Sequence, residues 1–138
     1  LYRKVYVEQF IQDSELYTGL YDVLESLRLA GHALSIATMK TMPQVDAFLN
    51  YFGLSEHFSI IKTASPSGDI TKTDMLLEIR KIYGEKYNRF YMVGDTMGDY
   101  KASVNAGCEF IAVDYGYGDI GSIDCKHISY LMDILNFL

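Results

Sequence analysis

FYMVGDTMGDYKASVNAG, from Phe90 to Gly107, decides the fold of this chain. Its apolar start, with Arg89 to Val93 as the run, reads as a strand covered on both faces, the kind that parallel sheets use. Asp95 and Asp99 stand just beyond it, and Asp99 to about Asn105 reads as a short helix stopped by Gly107. By itself D-x-x-x-D is an ordinary pair of solvated acids at a helix start, where the dipole favours negative charge. Here Gly94 is expected to let the backbone turn sharply. Ala102 and Ala106 are small enough to let the helix lie close on a sheet. In that setting the two carboxylates read as ligands for a hard metal ion.

The pattern repeats on either side. Upstream, Thr18 is expected to cap a helix carrying Leu20, Val23, Leu24 and Leu27 on one face, ended by Gly31. Ala33 to Thr38 (ALSIAT) is a strand. Pro43 opens a second helix with the stripe Val45, Phe48, Leu49 and Phe52, before Gly53. Phe58 to Lys62 is the next strand, and after the polar loop ASPSGD a helix over 71–83 carries Leu76, Ile79 and Ile82. Downstream, Phe110 to Val113 is a fourth strand. A glycine-rich loop, YGYGDIGS, and a last helix over 129–137 follow. Tyr115 and Tyr117 in that loop are expected to serve ordinary packing.

This βαβαβαβα order predicts an α/β fold, a Rossmann-like parallel sheet with helices on both faces. Ligands of such sheets bind beyond the carboxyl ends of the strands. Thr38, Asp95 and the loop after Val113 all fall there.

Composition narrows the classes. The chain has 138 residues, 49% of them apolar, enough for one cored domain. Its apolar runs are short and broken by charges, so no membrane span is expected. A net charge of −6 argues against nucleic acid or an anionic membrane as partner. Cys108 and Cys125 have no C-x-x-C or zinc spacing, so a reducing cytoplasm is the expected location. His32, His57 and His127 are scattered and read as surface or satisfied residues. The opening LYRKVYVEQF has no methionine and no signal-like core, and reads as a start in the middle of something.

Two further positions point to anion chemistry. Thr38 ends a strand, where its hydroxyl and the following N–H groups, beginning with Met39, suit a phosphate oxygen. Lys72 opens a helix, at the end of the dipole that disfavours a cation, so it is expected to have an anion to hold.

Thr38, Lys72 and VGDTMGD, in that order and spacing, resemble the second, third and fourth motifs of the haloacid dehalogenase superfamily, in its phosphoglycolate phosphatase-like subgroup. The resemblance runs from Leu16 to the end and includes YTGLYDVLESLRLAGHALSIATMK and NAGCEFIAVDYGYGD. Thr18 stands where that subgroup usually has proline, Met39 where asparagine often follows the threonine, and no proline follows Lys72.

The resemblance implies phosphate monoester hydrolysis through an aspartyl-phosphate with Mg2+. Asp95 would bind the metal directly, and Asp99 would bind it through water or order its shell. Thr38 would hold phosphoryl oxygens, with Met39 beside it, and Lys72 would neutralise charge on nucleophile and phosphoryl group. The substrate would be a small phosphorylated metabolite such as phosphoglycolate, a sugar phosphate or a nucleotide.

The first motif of that superfamily, D-x-D-G-T on the first strand, occurs nowhere in these residues. The expectation is therefore a core missing its first strand, with residues 1–15 closing a helical cap and residues 16–138 forming the incomplete core. That strand would lie between the first and third strands read here. The chain alone is expected to be inactive, and its partner to be the missing segment or a second copy. The other readings are a non-catalytic module pairing through exposed strand edges and a sugar-phosphate mutase of the same superfamily.

Overall fold

The computed structural model describes residues 14–113, 125–128 and 131–136. In chain order these form α1 (Ser14–Leu29), β1 (Ser35–Ala37), α2 (Met42–Phe52), β2 (Ile60–Lys62), α3 (Lys72–Tyr83), β3 (Tyr91–Gly94), α4 (Met97–Ala106), β4 (Glu109–Val113) and β5 (Lys126–Ile128). A 3-10 helix over Leu131–Asn136 follows. Most of the segment expected to close a cap, and the YGYGDIGS loop with Tyr115 and Tyr117, lie outside the described residues.

All strand pairs are parallel. β1 pairs with β2, Ile36 opposite Ile61, while β3 pairs with β4 and β4 with β5. The described strands thus make two sheets, in the orders β1–β2 and β3–β4–β5. β1 and β3 are not hydrogen-bonded to one another, yet they share the same two layers of core.

The alternation of strand side chains builds those layers. Ile36, Tyr91, Val93, Ile111 and Val113 face α1 and α2, meeting Leu20, Val23, Leu24, Leu27, Val45 and Leu49. Ala37, Phe90, Met92, Phe110 and Ala112 face α3 and α4, meeting Met75, Leu76, Ile79, Ala102 and Ala106. Helices therefore cover both faces, as the apolar runs predict.

Four details differ from the sequence reading. α1 starts at Ser14, so Thr18 lies inside it rather than capping it; no proline intervenes, and a threonine inside a helix costs little. Ile82 is 55% exposed, and Met75 joins Leu76 and Ile79 in the core instead. Ile82 falls on the flank of the helical period, while Tyr83 returns to the buried face and bonds Ser35 through its hydroxyl at 2.8 Å. The fifth strand, Lys126–Ile128, was not expected, because KHI has a single aliphatic residue and only its pairing with β4 makes it a strand. The last helix is the short 3-10 segment, and residues 129, 130, 137 and 138 lie outside the described ones.

Candidate active site

β3 delivers Asp95 to the carboxyl end of the sheet, where it is 4% exposed. Thr96 then caps α4, its hydroxyl oxygen accepting the Asp99 N–H at 3.0 Å. This cap sets Asp99 in the first turn of α4 and folds its carboxylate back over the strand end. Asp99 Oδ2 accepts the backbone N–H of Asp95 at 3.3 Å. Asp99 Oδ1 accepts from Lys72 Nζ at 2.6 Å. The carboxylate is 1% exposed and the lysine side chain 13%, so this ion pair is largely out of water.

Gly94 matters here for space, not for a turn. It is the last residue of β3 and is not among the positive-φ glycines. A Cβ at Gly94 would lie 2.7 Å from Asp99 Oδ2 and 2.8 Å from Asp99 Cβ. Only glycine lets the Asp99 carboxylate approach the strand so closely.

Lys72 reaches the site from the first turn of α3. Thr71 caps that helix by accepting the Asp74 N–H at 3.1 Å, and the Asp74 carboxylate accepts the Thr71 N–H at 3.0 Å. This reciprocal cap, the Thr71 backbone N–H first, holds the Asp74 carboxyl below the usual aspartate value. Ahead of it, the Ser67 and Ser65 hydroxyls donate to Asp69 Oδ1 at 2.6 Å and 2.9 Å, ordering the approach and lowering the Asp69 pKa. The anion that Lys72 was expected to hold is thus, in this structure, Asp99.

Thr38 is buried at the carboxyl end of β1, and its Oγ1 accepts the Lys40 N–H at 3.1 Å. Met39 beside it is 45% exposed. The structure brings Lys72, Asp99 and the Asp95 backbone into direct contact. It places Thr38 and Met39 at the same end of the neighbouring sheet, and α3 packs on both β1 and α4.

Asp99 already serves two donors, which makes it an organiser of Lys72 and the Asp95 loop. No group of three His, Cys, Asp or Glu side chains is arranged to hold a metal among the described residues. Two buried carboxylates nevertheless suit Mg2+, which commonly takes one or two protein carboxylates and fills its octahedron with water and substrate phosphate. Of the histidines, read as surface or satisfied, His57 is buried with its Nε2 3.0 Å from Glu25 Oε2. An open apolar groove of about 420 Å³ runs along α2, lined by Gln44, Ala47, Phe48, Tyr51 and Phe52, and contains none of the site residues.

Sequence reasoning missed Thr96 and the spatial role of Gly94. Thr96 had a signal, T-x-x-D ahead of a helix; Gly94 had none that distinguishes crowding from turning.

A family model described as haloacid dehalogenase-like hydrolase matches residues 1–113. The chain belongs to the haloacid dehalogenase-like hydrolases. The match takes in residues 1–15, which the motif resemblance left aside, and ends with β4. The tyrosine-protein kinase PtkA of Mycobacterium tuberculosis is 32% identical over 124 residues, which are 89% of this chain and 43% of PtkA. A phosphoglycolate phosphatase of Agrobacterium fabrum is 32% identical over 117 residues, 83% of this chain and 49% of that protein. The crystal structure of a putative phosphatase from Clostridium difficile superposes with a TM-score of 0.78 at 24% identity, over 88% of this chain and 60% of that one, and bears on the fold alone. The chain spans about half the length of the two curated relatives, 43% and 49%.

Proposed function

We propose that these residues are the part of an Mg2+-dependent phosphatase that holds the phosphoryl group and the metal, acting on a small phosphate monoester such as phosphoglycolate, a sugar phosphate or a nucleotide. The attacking aspartate comes from a D-x-D-G-T segment outside these residues. The observation that carries the reading is the buried Lys72–Asp99 pair, 2.6 Å long, poised beside Asp95 at the end of β3.

Phosphoryl transfer needs positioned charge more than elaborate covalent machinery. Lys72 supplies a fixed ammonium that offsets negative charge on the phosphoryl oxygens. Thr38, with the N–H group of Met39 that follows it, orients those oxygens from the other sheet, while the Lys40 N–H is held by the Thr38 hydroxyl oxygen. Asp95 would hold the metal, and Asp99 keeps the lysine and the Asp95 loop in place. When bound, the ion would supply charge neutralisation for the phosphoryl group.

The D-x-D-G-T strand belongs where the two sheets part, between β1 and β3, whose facing edges have no strand partner among the described residues. The test is phosphate release from a panel of monoesters by the protein extended to include that segment. Turnover is expected with Mg2+, is lost in chelator, and is lost in Asp95→Asn. Full turnover in chelator would overturn the reading.

The match to PtkA, as high in identity as that to the phosphatase, favours a second reading in which the same groups handle a nucleotide phosphate for transfer to tyrosine. Incorporation of γ-phosphate from ATP into tyrosine, without net phosphatase turnover, would select it.

A further inference from the structure

The Lys72–Asp99 bond joins the first turns of α3 and α4. At the far ends of the same two helices stands a second polar contact that the proposed chemistry does not use. Arg80 Nη1 donates to the backbone oxygens of Ala106 and Gly107, each at 2.8 Å. These are carbonyls at the end of α4, left without a partner along the helix, at the negative end of its dipole. The guanidinium also lies over the Phe90 ring, 4.8 Å from its centroid, just before β3. Arg80 therefore touches α4 and the entrance of the strand that delivers Asp95.

The spacing of the two contacts is matched. Lys72 and Arg80 are eight residues apart, and Ala106 and Gly107 stand seven and eight residues beyond Asp99. At about 1.5 Å of rise per residue, both helices span about 12 Å between contacts. The helices point the same way and are pinned at both ends, with nearly equal lengths between.

The apolar seam between them is built on α4 from small side chains. On α4 it offers Ala102 and Ala106, and on α3 Met75, Leu76 and Ile79. Alanines make shallow ridges, and burial is non-directional, so the polar contacts at the two ends are the directional part of this packing. Hydrogen bonds are directional, so the two contacts add a register that burial alone does not. Gly107 keeps the far contact open: a Cβ there would lie 2.6 Å from Arg80 Nη1.

We infer that Arg80 is a positioning residue for Lys72, fixing the register of α3 on α4 so that the ammonium meets Asp99. That Lys72 serves phosphoryl transfer rests on the proposed function; that Arg80 places it does not.

The experiment reads the two separately, in the full protein. The Lys72 ammonium resonance and its solvent exchange are followed by ¹⁵N NMR in wild type, Arg80→Met, Arg80→Lys and the surface control Arg89→Met. Arg80→Met keeps a long unbranched side chain beside Phe90 and is expected to keep the fold, while ammonium exchange speeds up about tenfold or the signal broadens away. Arg80→Lys, able to reach a carbonyl, restores part of the protection, and Arg89→Met changes nothing. In the phosphatase assay kcat falls about tenfold or more with little change in KM, as expected of a displaced group. An unchanged Lys72 resonance in Arg80→Met overturns the inference, whatever the assay gives. Should Arg80→Met not fold, full Lys72 protection in a folded Arg80→Gln overturns it equally. If no variant and no wild type turns over, the NMR result still decides the role of Arg80, and only the phosphatase reading fails.

Discussion

The two sheets hold their shares of the site differently. At the end of β3, Thr96, Gly94, Lys72 and the Asp95 backbone N–H all converge on Asp99, and its carboxylate is sealed from water. At the end of β1, Thr38 is buried, but Met39 next to it is 45% exposed and β2 behind it is only partly buried. The charged half is built in advance, while the β1 half is a buried threonine beside an exposed methionine, with α3 packed on both β1 and α4. Such a division fits a site whose charges must be preorganised, since fixed charge out of water acts more strongly than charge that must reorganise.

The contrast can be broken first at its lysines. Lys72→Met leaves Asp99 as a buried, uncompensated charge and is expected to cost about 3–5 kcal/mol. Lys62→Met removes the exposed pair with Glu78, its carboxylate 53% exposed, and should cost under about 1 kcal/mol. Urea unfolding of both variants checks this, and equal losses would mean that the β3 half is no more organised than β2.

Glycines sharpen it next. Gly94→Ala forces a Cβ against Asp99 and is expected to lose about 1–3 kcal/mol. Gly98→Ala, with nothing nearer than the Thr96 hydroxyl at 3.7 Å, should be neutral or stabilise α4 by up to about 1 kcal/mol. Opposite signs for the pair in thermal unfolding are the expected result.

Thr96→Ala removes the α4 cap and is expected to cost about 1 kcal/mol, seen as faster amide exchange at Asp99 and Tyr100. The smallest effect is pH-dependent. The Asp74 carboxyl, lowered from 3.8 chiefly by the Thr71 N–H, adds stability that is fully present above 3.8 and fades as pH falls through its lower folded value. An acid titration followed at Thr71 by NMR should show the first turn of α3 loosening there, and Asp74→Asn should flatten the curve.

Much of this was legible in the sequence. Four strands announced themselves by their apolar runs and four helices by faces closed by Gly31, Gly53, Gly84 and Gly107, and the order of elements made the sheet parallel. β5 was not legible, because its strand character comes from pairing with β4 and not from KHI. Asp95, Asp99, Lys72 and Thr38 were legible as strand-end and helix-start residues. Their partners were not: nothing in the spacing of Lys72 and Asp99, twenty-seven residues apart, says that they touch. The crowding at Gly94 and the Arg80 contact were equally hidden, since both are made by segments that meet only after folding.

The decisive measurement is phosphate release by the pure 138-residue chain, alone and after addition of the polypeptide carrying the D-x-D-G-T segment. No turnover alone, with Mg2+-dependent turnover once the segment is supplied, is the predicted result. Turnover by the chain alone would contradict it, because the attacking group would then have to lie among these residues.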